Sequence, residues 1–266
     1  MKKSIINRTK VSYIRLVSTK ISFPKLINVK EVVVSDQQDW NEVFAKQEPI
    51  LFKRIHKDWK ACNWKDSNYL KEKVKSSSKQ KDVIVPVEFG DSYMDAEVLN
   101  LDFIELLDFF DKKDITNIPK LYLAQTDINE IPGVIDDIKV PEITKTGSGC
   151  IYRSNIWLGG PAGTNSPCHN DPFNNFLCQI YGEKKVILFP PTSKEYIYMN
   201  DPHHKQKNTS RIDFGNPDFS KFPLFLDAPG GIVANLEPSD ALFIPLKWYH
   251  YCETKDKSCS VNYWWL

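Results

Sequence analysis

From Tyr152 onward the chain runs as short apolar stretches, each closed by Gly, Pro, Asn or Asp about every ten residues. This spacing belongs to a β-sandwich or barrel, because each run is long enough for one strand and too short for a packed helix. The expected strands are 153–158, 175–181, 185–189, 231–236, 241–244, 250–253 and 258–264, with a long polar insertion at 195–229. The first half is more mixed. Ile27 to Val34 alternates and is β-branched, so a strand is expected there. A helix is expected from Asp36 to Lys46, with Ser35 or Asp36 as N-cap. Pro49 to Phe52 is a short buried strand, and Trp59, Trp64 and Tyr69-Leu70 mark a second helical region. Lys73 to Lys81 is Ser- and Lys-rich and is expected to be a loop or a frayed helix end. Asp82 to Phe89 is a strand with Val83, Val85 and Val87 on one face. Leu101 to Phe110 has helical spacing, Leu121 to Ala124 is a short strand, and 127–140 is an irregular connection.

The resulting organisation is a basic arm over residues 1–22 and one domain over 23–266. Within that domain, 23–150 is an α/β part and 151–266 a core barrel. The 266 residues, 41% of them hydrophobic, suffice for one large core. Net charge is +1, so there is no global electrostatic case for a nucleic-acid or membrane partner. The arm is the exception, since no acid occurs before Glu31. It reads either as a mitochondrial transit peptide or as a solvated basic arm, and the β-branched Val11, Ile14 and Val17 favour the second. None of the six cysteines forms a CxxC pair. With no hydrophobic leader and no apolar run near the roughly 18 residues of a membrane span, a soluble cytoplasmic or nuclear protein with reduced thiols is expected.

Two of the five histidines stand in contexts that make chemical sense together. On a strand, the period of two puts His169 and Asp171 of His169-Asn170-Asp171 on one face. His250 follows a strand and a turn, Phe243 to Tyr249, which can return a third ligand across a barrel. Two histidines and one carboxylate leave open positions on an octahedral metal, the arrangement of non-haem Fe(II) oxygenases. Structural zinc needs four protein ligands, often cysteine, and no such set is apparent. An HxD pair alone also occurs by chance, so the surrounding sequence decides. His203 and His204 read as solvated loop residues and His56, near Trp59, as structural.

That surrounding sequence resembles the JmjC branch of the cupin-fold 2-oxoglutarate oxygenases. The resemblance rests on Asn165-Ser166-Pro167-Cys168-His169-Asn170-Asp171-Pro172, then Asn175 to Lys185, then Leu236 to Pro245, His250, and Ser260-Val261-Asn262-Tyr263-Trp264-Trp265. It covers roughly residues 22–266. It implies a double-stranded β-helix (a jelly roll or cupin barrel) with flanking helices, iron(II) on His169, Asp171 and His250, and 2-oxoglutarate and O2 as co-substrates. The implied 2-oxoglutarate contacts are Lys184 for the distal carboxylate, with Asn175, Ser166, Tyr122 and Trp264. A buried ammonium pairs well with a carboxylate. Lys185 is the alternative if the register slips by one.

Val85-Pro86-Val87-Glu88-Phe89-Gly90 with Tyr93, and Tyr122-Leu123-Ala124-Gln125, are similar to the small arginyl-hydroxylase branch. That similarity implies a substrate pocket with Glu88, Gln125, Tyr93 and Trp157, in which a carboxylate and aromatic faces receive a guanidinium. The Leu158-Gly159-Gly160-Pro161 stretch, one residue longer than the branch suggests, is expected to reshape that wall. The implied activity is hydroxylation of a protein side chain, arginine first, with decarboxylation of 2-oxoglutarate to succinate. The alternatives are demethylation of methyl-lysine or methyl-arginine on histones, hydroxylation of a tRNA base, and an inactive JmjC interaction module.

Overall fold

A computed structural model describes residues 23–35, 37–90, 97–112 and 120–266. The basic arm and Tyr93 lie outside the described residues. The last strand shows how the sequence organises the rest. Along Ser258–Trp265, Cys259, Val261, Tyr263 and Trp265 enter an apolar cluster, while the alternate residues Ser260, Asn262 and Trp264 are buried on the opposite face. Both faces of this strand are covered, one by apolar side chains and one by a polar chamber.

Fourteen strands are present among the described residues. They are β1 (Leu26–Asn28), β2 (Lys30–Val33), β3 (Ile50–Lys53), β4 (Ile84–Phe89), β5 (Glu97–Asp102), β6 (Leu121–Asp127) and β7 (Ile151–Gly159), then β8 (Thr164–Asn170), β9 (Asn174–Tyr181), β10 (Lys184–Phe189), β11 (Gly231–Leu236), β12 (Ala241–Ile244), β13 (Tyr249–Thr254) and β14 (Ser258–Trp265). They form a five-stranded sheet, β1-β11-β10-β13-β8, and a nine-stranded sheet, β2-β3-β12-β9-β14-β7-β6-β4-β5. Leu177, Leu242 and Ile244 of the larger sheet meet Val186, Leu188, Ala234 and Leu236 of the smaller one in a shared cluster. The architecture is a mixed β-structure of the double-stranded β-helix kind with flanking helices. Neither sheet closes on itself, so the expected barrel is two facing open sheets. Strands from residues 23–150 and from 151–266 sit in the same sheets.

Helices α1 (Trp40–Lys46), α2 (Ser67–Ser77) and α3 (Phe103–Phe110) flank the sheets. The N-cap of α1 is Asp39, whose carboxylate accepts from Asn41 N–H at 2.9 Å and Glu42 N–H at 3.1 Å, so the helix starts later than expected. α2 continues through Lys73 to Ser77, so of the two expectations for this stretch the helix end holds and the loop does not, because Val74 is buried and Lys73 is tied to Asp137 at 2.8 Å. Strand β5 had no signal: it is an edge strand, and its first four residues are exposed. The long insertion is less polar than it reads. Ile197, Ile212, Phe214, Phe222 and Phe225 are buried in a cluster with Cys168, Tyr249 and Tyr251 on the outer face of the smaller sheet. No helix among the described residues is long and apolar enough to cross a membrane.

Candidate metal centre and its two chambers

Strand alternation on two neighbouring strands aims the site inward. On β8, Cys168 points to the outer cluster and His169 inward; on β13, Tyr249 and Tyr251 point outward and His250 inward. These strands pair directly, with His250 opposite His169. Asp171 is the first residue past the end of β8, and its backbone carbonyl accepts from Lys247 N–H at 3.3 Å. One ligand atom from each of His169, Asp171 and His250 lies within 4.8 Å of the others. The Nε2 atoms of His169 and His250 are each 3.6 Å from a different oxygen of Asp171.

The donor set fits a divalent metal that keeps open positions. Each imidazole uses Nδ1 elsewhere: His169 Nδ1 is 2.8 Å from the Pro167 carbonyl, and His250 Nδ1 is 3.2 Å from the Trp248 carbonyl. An Nδ1–H donated to those carbonyls leaves Nε2 as the lone-pair donor on both rings. His250 is pushed down to about 4 by burial and by the neighbouring His169, so it is neutral and ligand-ready. No cysteine or second carboxylate joins the set among the described residues.

The site opens on two sides. An inner chamber, narrow at about 30 Å³, is lined by Tyr122, Ser166, Asn175, Lys184, Asn262 and Trp264, among others. On β10, Lys184, Val186 and Leu188 point inward while Lys185 points out and pairs with Glu253 at 2.9 Å, which places Lys184 and not its neighbour in the chamber. Lys184 is buried without a carboxylate partner among the described residues, and desolvation holds its pKa below the ordinary lysine range. An outer chamber of about 410 Å³ holds Glu88, Gln125 and Trp157, together with Ser166, His169, Asp171 and Trp264. Glu88 has no ion-pair partner among the described residues, and desolvation pushes its carboxyl up to about 7. Ile84 and Pro86, on the same face, are exposed, whereas Val83, Val85 and Val87 are buried as expected. The Leu158 to Pro161 stretch does not line either chamber. A Cβ on Gly160 would lie 2.6 Å from the Phe110 ring, so this end of β7 serves packing and not the substrate wall.

Several site residues carried no role in the sequence reading. Asn262 links the two chambers: its Oδ1 accepts from Trp157 Nε1 at 2.7 Å and Asn155 Nδ2 at 3.1 Å, and its Nδ2 donates to Asn175 Oδ1 at 3.0 Å. Asn175 Nδ2 in turn lies 3.5 Å from Asp171 Oδ2. Its position two residues before Trp264 on one strand was the signal that could have found it. Tyr152 and Phe173 line the outer chamber, as do Lys205, Gln206, Asn208 and Thr209 from the insertion. The insertion also holds the free edge of β8. Ser210 N–H donates to the Cys168 carbonyl at 2.7 Å, and Asn170 N–H donates to the Asn208 carbonyl at 3.1 Å, one bond on each side of His169. His203 and His204 are exposed, as expected, and His56 is buried 2.9 Å from the Gln179 carbonyl with its ring 4.7 Å from Trp59.

The family model of the cupin-like domain matches residues 36–266. The chain belongs to the cupin-like domain family. Its curated relatives include JmjC domain-containing protein D of Dictyostelium discoideum, 36% identical over 83% of this chain and 52% of the relative. Jumonji C domain-containing protein 5 of Drosophila melanogaster is 32% identical over 84% of the chain and 55% of the relative. Lysine-specific demethylase 8 of Danio rerio is 38% identical over 68% of the chain and 45% of the relative. These matches place the chain in the JmjC and cupin-fold oxygenase superfamily; the narrower arginyl-hydroxylase branch is not among the names. The chain spans about half the length of these relatives.

Proposed function

We propose that this chain is an iron(II)- and 2-oxoglutarate-dependent dioxygenase that modifies a cationic side chain of a protein, with methylated lysine as the first substrate to test. The observation that carries it is the His169–Asp171–His250 set facing two chambers, one ending on an unpaired buried lysine and the other holding an unpaired carboxylate. In this reading residues 23–266 act as one catalytic unit. His169 Nε2, a carboxylate oxygen of Asp171 and His250 Nε2 hold the metal. Bound there with 2-oxoglutarate and O2, iron supplies oxidation of a C–H bond coupled to decarboxylation of the co-substrate to succinate.

The chain's own residues then divide the work. Lys184 pairs with the distal carboxylate of 2-oxoglutarate, and Ser166, Asn175 and Tyr122 orient the acid by hydrogen bonds. Trp264 closes the wall between the chambers. The inner chamber has room for only a couple of waters as it stands, so co-substrate entry moves side chains on its wall. Glu88, with Gln125 and Trp157, receives the cationic group of the substrate. The methyl-lysine reading draws on the names of the lysine-specific demethylases among the relatives. Arginine hydroxylation is the second reading, favoured by Glu88, because a planar guanidinium can meet a carboxylate through two hydrogen bonds and an ammonium cannot.

The test is mass spectrometry of peptides incubated with the protein, iron(II), ascorbate and 2-oxoglutarate. Loss of a methyl group from methyl-lysine supports the first reading, and gain of one oxygen on arginine the second. If succinate forms while neither peptide class changes, the substrate assignment fails and the oxygenase assignment stands. Absence of 2-oxoglutarate turnover in iron-loaded protein removes both.

A further inference from the structure

The outer chamber has an aromatic rim, of which the proposed chemistry uses only Trp264. The Tyr152 and Phe173 rings stack at 4.3 Å with 15° between planes, and Phe173 and Trp264 lie 6.0 Å apart at 22°. The run leads from solvent to the metal site, since Tyr152 is 64% exposed and Trp264 only 6%. None of the three rings belongs to an apolar cluster of the fold.

A break in strand pairing puts Tyr152 there. Arg153 pairs with Trp264 and Ile151 with Trp265, so Tyr152 has no opposite residue on β14. Regular alternation would send it to the face of Ile156, which is buried in the large apolar cluster. The bulge turns it onto the chamber side instead, as bulges beside binding sites do. An aromatic pair lining a concave site, with Tyr152 exposed and Phe173 half-buried, is surface available to a ligand and of little use to the core. The part of the lining that the insertion supplies is polar, with Lys205, Gln206 and Asn208. An apolar neighbour of the modified residue therefore has one side on which to lie.

We propose that the Tyr152–Phe173 stack is a subsite for an aromatic or proline residue next to the modified residue, so that the substrate is a protein segment pairing a cationic side chain with a nearby flat apolar one. This rests on the reading of the outer chamber as the substrate pocket. A residue one or two places from the cation lies about 3–7 Å further along an extended chain.

Fluorescein-labelled nonapeptides test it. Each carries a central arginine or trimethyl-lysine in a Ser/Gly/Ala background, with a single Phe moved through the three positions on either side. Binding is read by fluorescence anisotropy under anaerobic conditions with iron(II) and 2-oxoglutarate present. At one or two positions Phe should tighten binding about five- to tenfold over Ser, the worth of one aromatic contact. Tyr152→Ala should bring that ratio close to one, and Tyr152→Phe should keep it. A wild-type protein with no positional preference, or one that binds none of the peptides, overturns the subsite. So does a Tyr152→Ala protein that keeps the ratio. A Phe preference that persists when the central cation is replaced by norleucine, with no loss of affinity, supports the stack and overturns the cationic reading of Glu88.

Discussion

Two sets of buried or half-buried ionisable groups divide this molecule. In the scaffold, Asp137 is buried and accepts from Trp64 Nε1 at 2.8 Å and Tyr69 OH at 3.1 Å, with Lys73 Nζ at 2.8 Å. Asp240 is likewise buried against Lys53 Nζ at 2.6 Å, Arg54 N–H at 2.9 Å and Glu237 N–H at 3.0 Å. In the chambers, Lys184 and Glu88 have no such partners among the described residues. A buried charge is tolerated in the scaffold because neighbours replace its hydration. On the proposed function, a ligand supplies the missing partner in the chambers, and the protein bears that cost until the ligand arrives.

The largest expected effect is at the metal. His169→Ala should reduce 2-oxoglutarate turnover to background and lower the iron content of the purified protein, measured by succinate release and metal analysis. Full turnover in that variant would place the chemistry elsewhere and dissolve the contrast.

Next come the two buried charges themselves. Lys184→Ala removes one partner of the proposed co-substrate ion pair, an effect of about 3–5 kcal/mol, so the KM for 2-oxoglutarate should rise by two orders of magnitude or more. Asp137→Ala should instead destabilise the fold by about 3–5 kcal/mol, because it strands Lys73 and two other donors. Lys184→Met should not lower the thermal midpoint of the protein without co-substrate, since it removes an unpaired buried ammonium and keeps its volume. If denaturation shows Lys184→Met and Asp137→Ala to be equally destabilising, the two sets of charges are not different in kind.

A smaller effect is expected at Glu88. Glu88→Gln should weaken binding of cationic peptides while iron loading and the KM for 2-oxoglutarate stay within a few-fold of wild type. Unchanged peptide affinity in this variant would remove the carboxylate from the substrate pocket.

The smallest effect is the pH dependence. With its carboxyl pushed up to about 7 by desolvation, Glu88 in the free protein ionises as pH rises from 6 to 8, so affinity for a cationic peptide should climb over that range. The stability sign is opposite. A raised acid pKa favours the folded state fully below the ordinary carboxyl range, and that contribution is lost as pH rises through about 7. Tyr152, His169, Asp171 and Lys205 line the same chamber, so the contribution of Glu88 is the part of the slope that disappears in Glu88→Gln. An identical profile in the two proteins would assign the slope to those other groups.

Much of this was legible in the chain. The strands Gly231–Leu236 and Ala241–Ile244 fall on their apolar runs, because each run is opened by Gly or Asp; the second is buried throughout, and the first buries Gly231, Ala234 and Leu236. The His-Asn-Asp segment was readable because the period of two carries over from His169 on β8 to Asp171, one residue past the end of that strand. Strand β5 was not readable, because its residues are those of an exposed edge. The insertion misled because its buried Ile and Phe residues are spread among charges, and only folding gathers them over Cys168 and Tyr251.

The sequence by itself determined the chemistry of the donor groups and the face of its strand on which each one lies. Both are properties of a few consecutive residues. Only the tertiary structure decided that Tyr152 and Phe173 join Glu88 in one chamber, that Asn262 ties Trp157 to Asn175, and that residues 208–210 hold the strand edge beside His169. It also decided that Tyr152 leaves the core face at a bulge. These meetings depend on register between strands far apart in the chain, and the packing of whole sheets sets that register.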